Sequence, residues 1–202
     1  MDEAQIDILH DHYKDTCSLL KGYRATRDWC FYLVILVVAV AWFDVVAPDD
    51  FARVTAEALK ARFQLTSVPN LTYLRGVLWF TLLGLTLRYC QASLNVEREY
   101  KYLHRIEAIL AEHVHPEFGR EGVSYRRHGK PFTDWAHAIY AVVFPLVLVL
   151  IVVIWTTLQL HTWRAWLWSP SAWFELFVSS AIVASIVLYM RSHRLINQKP
   201  DA

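Results

Sequence analysis

The stretch Ala136–Leu160, AHAIYAVVFPLVLVLIVVIWTTLQL, decides the fold, because it contains no Asp, Glu, Lys or Arg. The hydrocarbon core of a bilayer is about 30 Å thick, and roughly 20 apolar residues in a helix cross it. The stretch therefore predicts a transmembrane helix. Pro145 lies inside it and removes one helical hydrogen bond, which predicts a kink that is either a packing feature or a hinge.

Three other stretches of the chain are apolar over a similar length. They are Trp29–Ala47, Leu71–Cys90 and Ala172–Met190. The stretch Leu71–Cys90 gives the weakest signal, because Arg75 and Arg88 limit its uncharged part to residues 76–87, a length that also fits a buried core helix. Its apolar neighbours and the charge distribution favour a span. The sequence therefore predicts an all-α, polytopic membrane protein with four transmembrane helices and cytosolic helical extensions.

The composition points to the same class of protein. Hydrophobic residues make up 55% and charged residues 19% of the 202 residues. Soluble domains have about 45–50% apolar and about 25% charged residues. Disorder requires low hydrophobicity and high net charge, so this composition excludes a disordered chain. The net charge of +1 gives no overall basicity, and direct binding of nucleic acid is therefore not expected.

The distribution of Lys and Arg predicts the orientation of the spans. Of the 20 cationic residues, fifteen fall in the N-terminal segment, the central segment and the C-terminal tail, and five fall in the segments between them. Cytoplasmic loops carry the excess of Lys and Arg in membrane proteins. We therefore expect both termini and the central segment to lie in the cytosol.

Two of the more polar segments show helical periodicity. Apolar residues recur every three or four positions before the first span and again after the second. Each stripe needs a surface to pack on, so we expect the two helices to pair with each other or with copies from other protomers. The predicted organisation is 1–28 as a cytosolic amphipathic helix, 29–90 as the first two spans with an outer amphipathic loop at 48–70, 91–135 as a cytosolic helix and basic loop, 136–190 as the last two spans, and 191–202 as a cytosolic tail.

The segment from Pro116 to Trp135 has no helical period and is rich in Gly and cationic residues. A basic segment beside a span is attracted to the anionic inner leaflet. Arg and Gly together can also hold a phosphate or an acidic partner, and a segment with no specific role stays open as a third interpretation. The residues predicted to contact lipid or a partner are Arg120, Arg126, Arg127 and Lys130.

A few residues within the spans predict packing or function. Ser180 and Ala184 lie four positions apart, and small residues at this spacing let helices approach within or between protomers. Asp44, Arg75 and Glu175 lie near the outer ends of their spans. We expect Arg75 to pair with one of the two acids, either as an anchor at the interface or as part of a pore mouth. The candidates for span packing or gating are Pro145, Ser180 and Ala184.

The sequence carries no recognised catalytic motif. It has no Walker A loop, no GxSxG and no HExxH. The pairs His10–His12 and His113–His115 are each spaced two apart, and such residues point to different faces of a helix. Zinc needs three or four ligands, which neither pair supplies. The sequence therefore predicts a non-enzymatic protein with no catalytic residue, no cofactor and no metal.

Three stretches carry a resemblance to a known group of proteins. They are HDHYKDTCSLLKGYRATRDW before the first span, VEREYKYLHRIEAIL after the second and REGVSYRRHGKPFTDWAH before the third. With the four-span layout, they resemble small bacterial inner-membrane proteins linked to anti-phage defence, such as Kiwa-type membrane subunits and membrane accessories of RNA-targeting CRISPR systems.

The resemblance implies a particular location, assembly and function. The location would be the bacterial inner (plasma) membrane. The assembly would be a homo-oligomer in the lipid bilayer that works with a cytosolic protein partner. The function would be that of a sensor or effector that acts through membrane assembly or perturbation. A channel or transport component is the alternative function, and the resemblance assigns no functional residue.

Overall fold

A computed structural model of the chain describes residues 3–63, 71–113, 135–162 and 170–198. Within these ranges every element is helical, which confirms the predicted all-α class. Residues 135–138 form a helical turn that leads into a π-helical segment, Ile139–Val143. The other elements are α1, Glu3–Val46; α2, Pro48–Phe63; α3, Leu71–His113; α4, Phe144–Thr162; and α5, Pro170–Gln198.

Among the helices that the structure describes, three are long and apolar enough to cross a membrane. They lie within Gln5–Val46, Trp135–Leu158 and Pro170–Ile196. These correspond to the first, third and fourth apolar stretches of the sequence, and they fit a membrane protein. The stretch Leu71–Cys90 forms the first part of α3, which is not among the three. The helix is continuous there, but its composition alone does not establish a span.

Pro48 is the first residue of α2 and marks its junction with α1. Proline suits the first position of a helix, because its missing N–H would have no partner there. The N–H of Phe51 donates to the Ala47 carbonyl at 2.9 Å and begins the hydrogen-bond ladder of α2. Asp49 and Asp50 occupy the first turn of α2, where negative charge offsets the positive end of the helix dipole. The described part of the 48–70 segment is thus one helix that ends at Phe63.

The described contacts divide the chain into two compact units. The first unit comprises Met1–Asp28, Tyr89–Leu148 and Ile186–Ala202. Its apolar core contains Leu20 from α1 packed with Val96 and Leu103 from α3. These residues belong to the two apolar stripes seen in the sequence, and the stripes therefore pack on each other within one chain. Tyr13, Cys17, Tyr23 and Tyr100 surround this core.

Polar contacts between helices also hold the first unit together. The Tyr13 hydroxyl of α1 donates to Glu107 Oε1 of α3 at 3.4 Å. The Arg24 guanidinium lies 4.7 Å from the centre of the Tyr100 ring, within cation–π range. Lys101 Nζ of α3 also donates to the Ile196 carbonyl of α5. The C-terminal half of α3 thus contacts both α1 and α5.

The second unit comprises Trp29–Arg88 and Val149–Ser185. Its core includes a pair of indoles, Trp79 on α3 and Trp155 on α4, with ring centres 4.9 Å apart. The buried hydroxyl of Thr86 donates to a carbonyl of its own helix, at Leu82, four residues earlier. An internal bond of this kind lets a polar side chain sit in an apolar helix without a partner from another element. The hydroxyl of Ser179 does the same with the Glu175 carbonyl.

The π-helical segment lies immediately before Pro145, where the sequence predicts a kink. The Phe144 N–H donates to the Ile139 carbonyl, five residues earlier, rather than to that of Tyr140. In this shifted register the next donor would be residue 145, and proline has no N–H. The Tyr140 carbonyl therefore loses its regular helical donor. The Tyr89 hydroxyl of α3 donates to that carbonyl instead.

We expect Tyr89→Phe to reduce the free energy of unfolding by about 1–2 kcal/mol, because a part-buried carbonyl loses its donor. In a Pro145→Ala background the backbone regains an N–H at position 145. There Tyr89→Phe should reduce the free energy of unfolding by less than about 0.5 kcal/mol. Unfolding of the purified protein in mixed detergent micelles, followed by circular dichroism, measures both values. Tyr102→Phe, at an exposed tyrosine of α3, is the control. Equal losses in the two backgrounds would contradict this account of Pro145.

Candidate functional site

The first unit contains a cluster of one carboxylate and two imidazoles, which we call the polar cluster: Glu97, His137 and His193. His193 Nε2 lies 2.9 Å from Glu97 Oε1. The rings of His137 and His193 stack with centres 6.1 Å apart. One ligand atom from each of the three residues lies within 4.8 Å of the others. The three side chains therefore form a compact set of potential ligands or proton carriers.

Three separate segments position the polar cluster. Glu97 lies one turn after Ser93 on α3, and His193 lies one turn after Tyr189 on α5. Residues four apart in a helix share a face, so each helix presents a hydroxyl and a titratable group on one side. His137 comes from the turn before the π-helical segment and is exposed. Tyr189 is buried, and its ring centre lies 6.1 Å from that of His193.

Burial gives the polar cluster its electrostatic character. The side chains of Glu97 and His193 are only 10% and 12% exposed. Three buried oxygens here have no hydrogen-bond partner of normal geometry within the part of the chain that the structure describes: Ser93 Oγ, Glu97 Oε2 and the Tyr189 hydroxyl. An unsatisfied buried polar group costs about 1–3 kcal/mol. A buried carboxylate is unfavourable unless a positive charge or hydrogen bonds replace its contacts with water.

A second group of charges lies in the second unit. Arg75 Nε donates to Asp44 Oδ2 at 2.6 Å, and Arg75 Nη2 donates to Asp44 Oδ1 at 2.9 Å. The pairing that the sequence predicts for Arg75 is therefore present, with Asp44 as the partner. Asp44 is 4% exposed and Arg75 is 28% exposed. Glu175 of α5, also buried, interacts electrostatically with Arg75.

The structure separates the residues that the sequence singled out. Pro145 is buried at the start of α4. Ser180 and Ala184 are exposed on α5, so they do not pack inside the described chain and remain available to lipid or to a second copy. The four cations of the basic loop, Arg120, Arg126, Arg127 and Lys130, lie outside the described residues. None of these residues belongs to the polar cluster.

Sequence reasoning missed the polar cluster, because its members are far apart in the chain and match no spaced motif. His137 and His193 stand at the ends of the third and fourth spans that the charge distribution assigns to the cytosol, which was a usable signal. Glu97 falls one residue after Val96, a member of the apolar stripe, and therefore looks like a solvated neighbour of that stripe. Only the packing of α3 brings its carboxylate to the two imidazoles.

No protein family, no curated protein and no solved structure matches the chain. Function can therefore be inferred from three observations: the helices that are long and apolar enough to cross a membrane, the polar cluster and the Asp44–Arg75 pair.

We expect Asp44→Asn to lower the free energy of unfolding by about 2–3 kcal/mol. Removing one partner from a buried ion pair typically costs 3–5 kcal/mol, and the partial exposure of Arg75 reduces that loss. Asp50→Asn is the matched control, because Asp50 pairs with Arg53 at 2.7 Å and both side chains are more than half exposed. Asp50→Asn should lower the free energy of unfolding by less than about 1 kcal/mol. Equal losses for the two variants would show that the Asp44–Arg75 pair does not stabilise the second unit.

Proposed function

We propose that the protein is an oligomeric sensor or effector of the bacterial inner membrane, and that residues of the first unit receive a cytosolic signal. The observation that carries the proposal is the continuity of two long helices. α1 has 44 residues and α3 has 43, and each contributes residues to both units. The packed stripes, which we propose receive the signal, therefore lie on the same two helices as two of the apolar stretches.

The proposal includes four spans with α3 as the second. The feature that weakens α3 as a span is Arg75, because an isolated charge in the bilayer costs several kcal/mol. Here the guanidinium is held bidentately by Asp44 of α1, which offsets its charge within the protein. Arg88 is exposed near the other end of the stretch, where a long side chain can reach the interface. These contacts support insertion of α3 together with α1.

The topology is tested with a reporter enzyme that is active only in the periplasm. We expect the reporter to be inactive after Ala202 and inside residues 119–130, and active when inserted at Asp49–Asp50, because four spans return the chain to the cytosol. Three spans would place the two termini on opposite sides of the membrane. Reporter activity after Ala202 would therefore overturn the four-span proposal.

An exposed face of α5 supports the proposed homo-oligomer. Phe177, Ser180, Ala184 and Leu188 are all exposed and recur every three or four residues. In a membrane such a face meets either lipid or another protein helix. The small side chains of Ser180 and Ala184 let a second helix approach closely, so we propose contact with another copy along this face.

The proposed role is anti-phage defence, and its support is the resemblance in layout stated from the sequence. The basic residues Arg120, Arg126, Arg127 and Lys130 remain the proposed contact for a cytosolic partner or for the anionic leaflet. The chemistry proposed here is binding and assembly, without an enzymatic step.

One observation favours a channel or transport component as the second candidate. Asp44, Arg75 and Glu175 bring three buried or half-buried charges together from three helices of the second unit. Charged groups inside a bundle of spans often mark an ion path. Asp44 and Arg75 neutralise each other, however, which is the arrangement expected of an anchor. A voltage-driven ion current through liposomes that contain only this protein would favour the channel.

Phage plating on bacteria that express the protein tests the proposed function. We expect the wild-type protein to lower plaque numbers at least tenfold. Ser180→Leu with Ala184→Leu should abolish this protection and reduce the oligomeric mass in mild detergent, because the added bulk separates the helices. The matched control is Val153→Leu with Thr157→Leu, two exposed positions four apart on α4. Absence of protection by the wild-type protein would refute the defence role, and an unchanged mass would refute the α5 interface.

A further inference from the structure

We propose that Glu97, His137 and His193 bind one divalent transition-metal ion of the zinc class. Imidazole nitrogens and a carboxylate oxygen are a common ligand set for Zn²⁺, which needs three protein ligands when water takes the fourth position. The set draws one residue from α3, one from the turn before the π-helical segment and one from α5. This inference goes beyond the proposed function and stands independently of it.

The distances fit a site that needs only small side-chain rotations. Around a tetrahedral zinc with bonds of about 2.1 Å, neighbouring ligand atoms lie roughly 3.4 Å apart. One donor atom from each residue already lies within 4.8 Å of the others, and His193 Nε2 lies 2.9 Å from Glu97 Oε1. Movements of about an ångström in side chains of this length would place all three around one ion.

A second, independent observation points to a cation at this position. The Glu97 side chain is nine-tenths buried, and its Oε2 atom has no hydrogen-bond partner among the described residues. Removing a carboxylate from water is unfavourable unless a positive charge and further polar contacts replace the water. A divalent ion supplies both, because it can bind either carboxylate oxygen. The Ser93 and Tyr189 hydroxyls, buried on the same faces of α3 and α5, are suited to hydrogen-bond a metal-bound water.

Two imidazoles and one carboxylate converge in the polar cluster, and the rings of His137 and His193 stack on each other. A metal ion uses both imidazoles in their neutral form, so the two rings can stay adjacent without repulsion. The presence of two histidines and one acid within ligand distance therefore favours a metal over an isolated ion pair.

Zinc titration of the full chain, purified in mild detergent and stripped with a chelator, tests the proposal. We expect one Zn²⁺ per chain by calorimetry. His137→Gln, at an exposed side chain, should weaken binding at least about tenfold, and so should Glu97→Gln. His104→Gln is the matched control. His104 also lies near a glutamate, with its Nδ1 atom 3.9 Å from Glu107 Oε2, but it is not one of the three proposed ligands. Its zinc affinity should stay unchanged.

Thermal stability gives a second readout that does not depend on calorimetry. Zinc should raise the Tm of the wild-type protein and of His104→Gln, because an ion that joins three segments stabilises the folded state. It should not raise the Tm of His137→Gln. The proposal is overturned if the wild-type protein binds no stoichiometric zinc, if His137→Gln keeps the wild-type affinity, or if His104→Gln loses as much affinity as His137→Gln.

Discussion

A proline in an apolar helix leaves a backbone carbonyl without its regular donor, and the Tyr89 hydroxyl supplies the replacement at Tyr140. At this part-buried position a side chain from another helix thus replaces the missing backbone donor. The contact fixes where α3 meets the segment before α4. The edge-to-face packing of Tyr89 on Phe144, with ring centres 5.0 Å apart, reinforces that position. The arrangement of the first unit depends on this junction.

The polar cluster follows from the same junction. Glu97 lies two turns beyond Tyr89 on α3, and His137 lies two residues before the π-helical segment. The Tyr89–Tyr140 bond joins the two elements that carry Glu97 and His137. The π-helical segment adds one residue to a helical turn, which rotates the residues before it relative to α4. π-Helical turns are frequent at functional sites, and His137, one of the three potential metal ligands of the polar cluster, lies two residues before this one.

The second unit contains a comparable case, in which the polar group that needs a partner is a charged side chain and not a backbone carbonyl. Arg75 in an apolar helix is tolerated because Asp44 binds it through two hydrogen bonds, in the planar geometry that suits guanidinium and carboxylate. In both units a polar group that is unfavourable within one helix is satisfied by another helix. Such contacts are directional, so they specify how helices pair where apolar surfaces alone would allow many arrangements.

The sequence by itself determined the helical class, the apolar stretches and the presence of two apolar stripes, because these follow from periodicity and composition along the chain. It left open whether the stripes pack on each other or on another copy, and the tertiary structure shows that they pack on each other. The sequence also predicted that Arg75 would pair, since a charge at that position needs a partner. It could not choose between Asp44 and Glu175, because both lie at a suitable depth, and the tertiary structure selects Asp44. Nor could it find Glu97, His137 and His193, which are distant in sequence and become neighbours only through the packing of three helical segments. Periodicity in the sequence indicates which face of a helix is apolar. The partner of each polar side chain depends on how each helix is rotated about its axis and aligned along its neighbours, and these are known only from the folded chain.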